Sequence, residues 1–511
     1  MSWKSKKRRK GGKRKSSSTF EKIRVPGPEV KLHRIKPHLW EIPPSGGMRV
    51  PARIYASDLL MESIRQDKCT EQAANVAYLP GIVKYSLAMP DIHWGYGFPI
   101  GGVAATDPRQ GGVISPGGVG YDINCGVRVA RTQLNIKEIQ DRMEDLVQEL
   151  FRVVPCGTGR GSGLNEGRGV TIDEERELIQ EGAAWAVDRG HGEPEDVEFC
   201  EEKGRLPQAD PRAVSMTALE RGARQVGSLG SGNHFLEVDV VDKIFDQDAA
   251  SVFGIEEGTV VVQIHCGSRG FGYQVCDDFL DVMQQAVVDY DIKLPDRQLC
   301  CVPVDSPEGK RYIAAMACAA NFAWVNRQVI MNNARKVFMR VFDISPKELG
   351  WKLIYDVCHN IAKFEDHDVD GQQRNLCVHR KGATRAFPKG HPEIPSEYKD
   401  IGQPVMVPGD MGTHSFICCG EEGSMFQTFG SSCHGAGRVL SRSAAVRQGK
   451  GRSIQREMAA RGVTVIAKSQ STLAEEMSEA YKNVEDVVDV VDEAGIARKA
   501  VRLRPVGVVK G

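Results

Sequence analysis

Nowhere in its 511 residues does the chain hold an apolar run approaching the roughly 20 residues that a membrane-spanning helix requires. The N-terminus lacks the apolar core of a secretory signal. A cytoplasmic protein with no membrane attachment is therefore expected. None of the fourteen cysteines forms a C-x-x-C pair, which removes zinc ribbons, and inside a cell they should be reduced thiols acting singly. G-x-x-x-x-G-K-[ST] is absent, which argues against a P-loop NTPase. There is no K-x-D-G string to supply the nucleophilic lysine of ordinary nucleotidyl-transferring ligases, and no G-x-S-x-G elbow to supply a serine. The glycine-rich stretch 157–169 fails G-x-G-x-x-G spacing and reads as a flexible loop.

Net charge is also lacking, with 67 basic against 67 acidic residues, but the balance is uneven along the chain. Residues 1–15 hold nine Lys or Arg and no acid, so the remainder carries 58 bases against 67 acids. The body has no attractive overall field for a polyanion; binding one would take a local basic patch. The tail, 1–24 with its serines 16–18, cannot bury apolar surface and reads as disordered. It suits a solvated arm that helps hold RNA, or alternatively a nuclear address that would give a eukaryotic protein a nuclear pool.

From Val25 to Gly511 no Ser/Pro/Gly linker divides the chain, so one large domain is expected over 25–511. Thr259 to His265 and Lys352 to Cys358 are β-branched, apolar runs that predict buried strands. Ala317 to Phe342 and Asp173 to Asp188 have helical length and composition, and the acidic stretch 190–210 reads as a surface excursion. Elements of both kinds throughout predict a mixed α/β (α+β) fold, central sheets surrounded by helices.

Four segments place a candidate metal ligand at a strand edge beside a glycine turn. They are G-G-V-G-Y-D-I-N-C-G-V-R with Asp122 and Cys125, G-S-G-N-H with His234, H-C-G-S-R-G with His265, and Y-D-V-C-H-N with His359. Rigid strand ends and closely approaching glycine backbone suit a preorganised site. Three imidazoles, a thiolate and a carboxylate can hold one or two transition-metal ions, although a lone His or Cys is more often a packed or hydrogen-bonded residue than a ligand. A fifth segment, T-F-G-S-S-C-H-G-A-G-R, sets His434 among small residues that let backbone N–H groups reach a phosphate. Arg438 follows on a helix-compatible run, placed to grip a phosphate, and 407–416 is a second glycine-containing loop of the kind that wraps a ligand.

These strings, in order with D-I-H-W-G-Y-G-F-P-I-G-G at 91–102 and V-H-R-K-G-A-T-R-A-F-P at 378–388, resemble the RtcB family of RNA ligases from about Val50 to Gly511. The resemblance implies two manganese ions. Asp122, Cys125 and His234 would hold one, and Cys125, His265 and His359 the other, with Cys125 bridging. It implies GTP as co-substrate, with His434 taking up the guanylate. The nucleotide contacts it carries over are Asn233, His234, Phe235, Leu236, Glu237, His359, Asn360, Pro408, Gly409, Asp410, Met411, Ser415, His434, Gly435, Ala436, Gly437 and Lys510. The implied reaction joins RNA 3′-phosphate or 2′,3′-cyclic phosphate ends to 5′-hydroxyl ends, as in tRNA splicing or RNA repair. An archease-type activating protein is a partner the resemblance leaves open. Arg438, Lys381 and Arg385 are candidates for holding RNA phosphates. Thiolate is soft and manganese hard, so donor chemistry alone points to zinc or cobalt, and manganese rests on the resemblance.

Two other readings use the same residues: a dinuclear phosphoesterase needing neither GTP nor His434, and an RNA-binding scaffold whose site has lapsed. Since the tail lies outside every motif, deleting residues 1–18 is expected to leave labelling of the protein by GTP unchanged. It should weaken RNA affinity mainly at low salt, where counterion release favours basic arms; titrations of one RNA at two salt concentrations check this.

Overall fold

Both strands expected from β-branched runs are present, as Thr259–Cys266 and Lys352–Cys358, and they belong to the same sheet. The computed structural model describes residues 20–157, 161–164 and 167–511. The sheet runs Lys352–Cys358, Gly126–Asn135, Thr259–Cys266, Phe235–Ile244, Ala497–Lys510, Ser415–Gly420 and Pro404–Val407, every neighbour antiparallel. Thr464–Ala467 joins it by pairing in parallel with Ala497–Lys510. Every residue of Thr259–Cys266 is buried, as expected for a strand covered on both faces.

A second sheet runs His33–Lys36, Leu39–Ile42, Ala52–Tyr55, Ile82–His93, Ile100–Thr106, Gln372–Lys381 and Asn360–Val369. At one of its crossings the chain passes between the sheets within a single residue: Cys358 ends a strand of the first, Asn360 begins a strand of the second, and His359 is the corner. A short ribbon, Ala383–Arg385 with Ser431–Cys433, delivers the chain to His434. Mixed α and β elements thus form one domain, as the sequence predicts.

The helix expected from Ala317 starts ten residues earlier and runs Pro307–Phe342. Ser306 caps it by accepting the Gly309 N–H, and Pro307 occupies the first turn, where its missing donor costs nothing. The alanine-rich middle is buried on every side, so no polar stripe marks it in the sequence. It touches the strand Thr259–Cys266 and the helices Met143–Val153, Ile172–Glu181, Ala183–Asp188 and Arg269–Asp289.

Three expectations are revised. The run 173–188 is two helices, Ile172–Glu181 and Ala183–Asp188, parted at Gly182, whose φ of 66° cannot continue a helix. The segment 190–210 is tied to the interior rather than excluded from it. Glu201 is buried, 2.5 Å from Lys363 Nζ, and accepts the Cys358 N–H at 2.8 Å; buried Asp196 accepts from Gln328 Nε2 at 2.7 Å. Its acidity serves buried cations, which composition cannot distinguish from a solvated surface. Phe20 and Ile23, assigned to the tail, pack in a cluster with Leu294 and Leu299. Residues 1–19 lie outside the described part, as do 158–160 and 165–166 of the proposed flexible loop; within that loop Ser162 Oγ donates to Val226 O.

One ion cluster joins the long helix to two neighbouring strands, Gly126–Asn135 and Lys352–Cys358. Asp356 is fully buried and accepts from Arg128 Nε at 2.6 Å and from Arg327 Nε and Nη2 at 2.9 and 2.7 Å. Burial pushes the Asp356 carboxyl up, but the two guanidinium groups outweigh it and hold it below the usual carboxylate range. Asp356→Asn would leave two buried cations facing a neutral amide. A destabilisation of about 3–5 kcal/mol is expected, read as a lowered urea midpoint with an unchanged slope.

Candidate active site

Four adjacent strands of the first sheet alternate in direction, so their starts and ends meet along one rim. Cys125 precedes Gly126–Asn135, His359 follows Lys352–Cys358, His265 is the penultimate residue of Thr259–Cys266, and His234 precedes Phe235–Ile244. Gly126 faces both Cys358 and Cys266 in register. A Cβ at Gly126 would lie 2.2 Å from Val357 O, so only glycine lets the Cys125 and His359 ends approach this closely. The His359 N–H donates to Cys125 O at 2.8 Å. Asn124 holds a left-handed backbone (φ 53°) that aims Cys125 inward, and its polar groups bond to Arg327, Ala320 O and Asn360 O.

The side chains converge as two groups sharing one sulfur: Cys125 with His265 and His359, and Cys125 with Asp122 and His234, each with donor atoms within 4.8 Å of one another. Cys125 Sγ is 3.3 Å from His265 Nε2 and 3.4 Å from His234 Nε2. His265 Nε2 lies 3.1 Å from His359 Nε2, and His234 Nε2 lies 2.8 Å from Asp122 Oδ2. All five residues named from the sequence are therefore brought together.

The electrostatics suit cations. Burial, aided by neighbouring imidazoles, pushes His265 and His359 well below the usual histidine range and keeps both rings neutral, the form that ligates metal. Burial and the Asp122 carboxylate push the Cys125 thiol up to about 12. A bound cation reverses that cost and favours the thiolate. Burial disfavours a His234 cation, but Cys266, Cys125 and Asp122 outweigh it and raise its pKa well above the ordinary value. Metal binding at His234 must therefore displace a proton. The Nδ1 atoms of all three histidines are buried without a hydrogen-bond partner. What fits metal ions is the convergence of thiol, imidazole and carboxylate donor atoms in two groups, since like polar atoms this close have no hydrogen-bonding role that accounts for all of them.

His434 stands across from this cluster, its ring centroid 4.8 Å from that of His359. Asp91 Oδ2 accepts the His434 backbone N–H at 3.0 Å and lies 2.5 Å from His434 Nδ1. That carboxylate places the proton on Nδ1 and leaves the Nε2 lone pair free. Lys482 Nζ donates to Pro90 O at 2.9 Å and Ile92 O at 2.6 Å, gripping the backbone on both sides of Asp91. A Cβ at Gly437 would lie 2.2 Å from Asp91 O, so the glycine lets the His434 loop rest on this segment. Asp91 stood in a string noted in the sequence, yet nothing there separates it from a capping carboxylate.

A cavity of about 700 Å³, of ligand-accommodating size, joins the two clusters. Of the proposed nucleotide contacts, Asn233, His234, His359, Asn360, Pro408, Gly409, His434, Gly435, Ala436 and Gly437 line it. Asn233 Oδ1 is buried without a partner. Phe235, Leu236, Glu237, Asp410, Met411, Ser415 and Lys510 lie behind the lining and are buried. Asp410 caps its own loop at Gly412 N, and Ser415 Oγ accepts the Gly409 N–H at 3.1 Å. Lys510 ends the strand Ala497–Lys510 opposite Phe235, with Nζ 5.1 Å from that ring and 3.9 Å from Glu476 Oε2.

The three RNA-phosphate candidates already have partners within the protein. Lys381 reaches the cavity wall, but its ammonium donates to Tyr96 O, Phe98 O and Gly117 O, and three carbonyls exhaust three donors. Arg385 is buried against Glu202 and Glu393, 2.7 and 2.8 Å away. Arg438 lines the cavity without starting a helix; it bonds Leu440 O, Glu475 O, Glu476 and Tyr481, and the helix begins at Arg442. Arg269 and Arg442, unremarked in the sequence, also line the cavity, and the Arg442 side chain is 62% exposed.

One cavity thus sets a thiol–imidazole–carboxylate cluster, of the donor types that could hold a metal ion, opposite a histidine held by a carboxylate. Residues 72–511 match the family model described as tRNA-splicing ligase RtcB. The chain is 54% identical to the tRNA-splicing ligase RtcB of Archaeoglobus fulgidus over 483 residues, 94% of this chain and 99% of the relative. The same figures hold for the tRNA-splicing ligase RtcB of Thermococcus kodakarensis. The RNA-splicing ligase RtcB of Mycobacterium tuberculosis is 50% identical over 86% of this chain and its own entire length. The chain belongs to the RtcB family.

Because Cys125 belongs to both donor groups, Cys125→Ala should lower bound divalent metal more than Asp122→Ala does. Elemental analysis after equilibration with manganese and desalting gives the comparison.

Proposed function

We propose that the protein is an RNA ligase that joins 3′-phosphate or 2′,3′-cyclic phosphate ends to 5′-hydroxyl ends through a guanylate carried on His434, using GTP and two manganese ions. Family membership supports RNA ligation. The observation that carries the finer reading is the Asp91–His434 pair beside the Cys125 cluster in one cavity.

His434 Nε2, with Nδ1 held by Asp91, attacks the α-phosphorus of GTP, and the bond to the pyrophosphate oxygen breaks. Asp91 stabilises the charge the ring gains and fixes its orientation, as a carboxylate does behind any histidine in this role. A water opens the cyclic phosphate to a 3′-phosphate, whose oxygen takes the guanylate and releases His434. The 5′-hydroxyl of the second RNA then attacks the activated 3′-phosphorus and GMP departs. Manganese held by Asp122, Cys125, His234, His265 and His359 would offset charge on the phosphoryl oxygens and orient the displacement. That Asn233 and the 434–437 loop line the cavity supports their contacting the nucleotide. A phosphoesterase would use the same metal donors but gives no account of a histidine held by a buried carboxylate.

Incubation with α-labelled GTP and manganese, followed by denaturing electrophoresis, tests the reading. Label should stay on the wild type and be lost in His434→Ala, and Asp91→Asn should slow labelling by up to about four powers of ten, since it disturbs the tautomer. Label on His434→Ala would discard the histidine intermediate.

A further inference from the structure

Three tyrosines of the cavity wall have no part in the chemistry above. Tyr121 adjoins the donor Asp122, Tyr273 lies in the first turns of the helix Arg269–Asp289, and Tyr96 comes from the loop between Ile82–His93 and Ile100–Thr106. Tyr121 and Tyr273 stack with centroids 4.8 Å apart and planes at 24°; Tyr96 meets Tyr121 edge-on at 5.7 Å and 70°. A stacked pair that served only packing would bury both rings. Here Tyr273 stays 50% exposed although Tyr121 covers one of its faces. Water contact over that much aromatic surface is unfavourable and is relieved when another flat apolar group covers it.

Charge narrows the identity of that group. Arg269 and Arg442 line the same cavity; Arg269 bonds the neutral Ser228 Oγ and Gly157 O, and Arg442, paired through Nε with Glu475 at 2.9 Å, is still 62% exposed, so the mouth presents cationic donors to a polyanion that carries flat rings. We propose that Tyr273, backed by Tyr121, is a stacking platform for the nucleobase at an RNA end entering the site. It rests on the reading that RNA is the substrate. Every base has a π-face, so such a platform holds RNA ends of any sequence, as ligation of varied ends needs. Tyr121 precedes Asp122 directly, so a base stacked on this wall brings its own terminal phosphate or hydroxyl into the cavity that holds the Cys125 cluster and His434. The guanine of GTP has the same chemistry. The open position of Tyr273 favours the RNA, and the test separates the two.

Short RNAs with a 3′-phosphate or a 5′-hydroxyl end, each with its terminal base present or removed, are titrated by fluorescence anisotropy against wild type, Tyr273→Ala, Tyr273→Leu and Tyr273→Phe. Tyr273→Ala and Tyr273→Leu should both weaken binding of one intact RNA by about five- to a hundred-fold, the range for one lost stack. Tyr273→Phe, which keeps the ring, should bind within about two-fold of wild type. Removing the base at that end should weaken the wild type but add nothing to Tyr273→Ala, and the RNA showing this identifies the end that is held. Losses that add for both RNAs, or a larger shift in GTP half-saturation than in RNA affinity, would overturn the platform. Because RNA affinity is read without GTP or metal, a protein that takes no label from GTP refutes the histidine intermediate and leaves this result legible.

Discussion

Arg327 is the residue on which the geometry of the site depends. Its guanidinium, fully buried on the helix Pro307–Phe342, donates to Asn124 O and Cys266 O at 2.7 and 2.9 Å and pairs with Asp356. Asn124 precedes Cys125, Cys266 follows His265, and Asp356 stands three residues before His359. One planar fork thus fixes three strand ends that carry residues of the Cys125 cluster, and fixes them to the longest helix. A guanidinium suits this position because its five donors lie in one rigid plane and its charge is retained when buried. It also holds Asn124 in its left-handed conformation, so local backbone strain is opposed by a tertiary contact.

The two sides of the cavity are built differently. The donor cluster sits on the rim of one sheet, where antiparallel neighbours bring alternate starts and ends together. His434 arrives on a short ribbon and is fixed by Asp91 from the other sheet and by Lys482, which grips the chain around Asp91. His359, at the point where the chain leaves one sheet for the other, joins the halves. Such a division lets the cavity open between two rigid walls without weakening either. Basic groups near it divide likewise: Lys381 and Arg385 are buried within the fold, while Arg442, although paired with Glu475, stays largely exposed.

Individual residues show how far patterns reach. Thr259–Cys266 and Lys352–Cys358 were legible because β-branched runs bounded by glycine have few alternatives. The long helix was placed ten residues late, since its N-terminal signal, Ser306–Pro307, lies upstream of the alanine-rich stretch that announces it. The five residues of the thiol–imidazole–carboxylate cluster are legible as strand-end residues beside glycine turns. Asp91 is not, because a carboxylate inside a strand gives no local sign of the histidine it will meet 343 positions later. The partners of Lys381 and Arg385 are not legible for the same reason: a basic residue on a strand reads identically whether carbonyls, carboxylates or a phosphate await it.

What the sequence by itself determined is local: strands and helices set by side-chain periodicity, reduced cysteines, a basic tail, and an ordered series of motifs that fixes the family. These depend on residues close in the chain or on whole strings matched in order. Tertiary structure alone decided that Cys125 stands between two donor groups, that Asp91 orients His434, that the acidic segment 190–210 neutralises buried cations, and that Tyr121 and Tyr273 stack at the cavity. Each depends on which strands become neighbours and on which charges are stripped of water, and both are settled by packing between segments far apart in the chain.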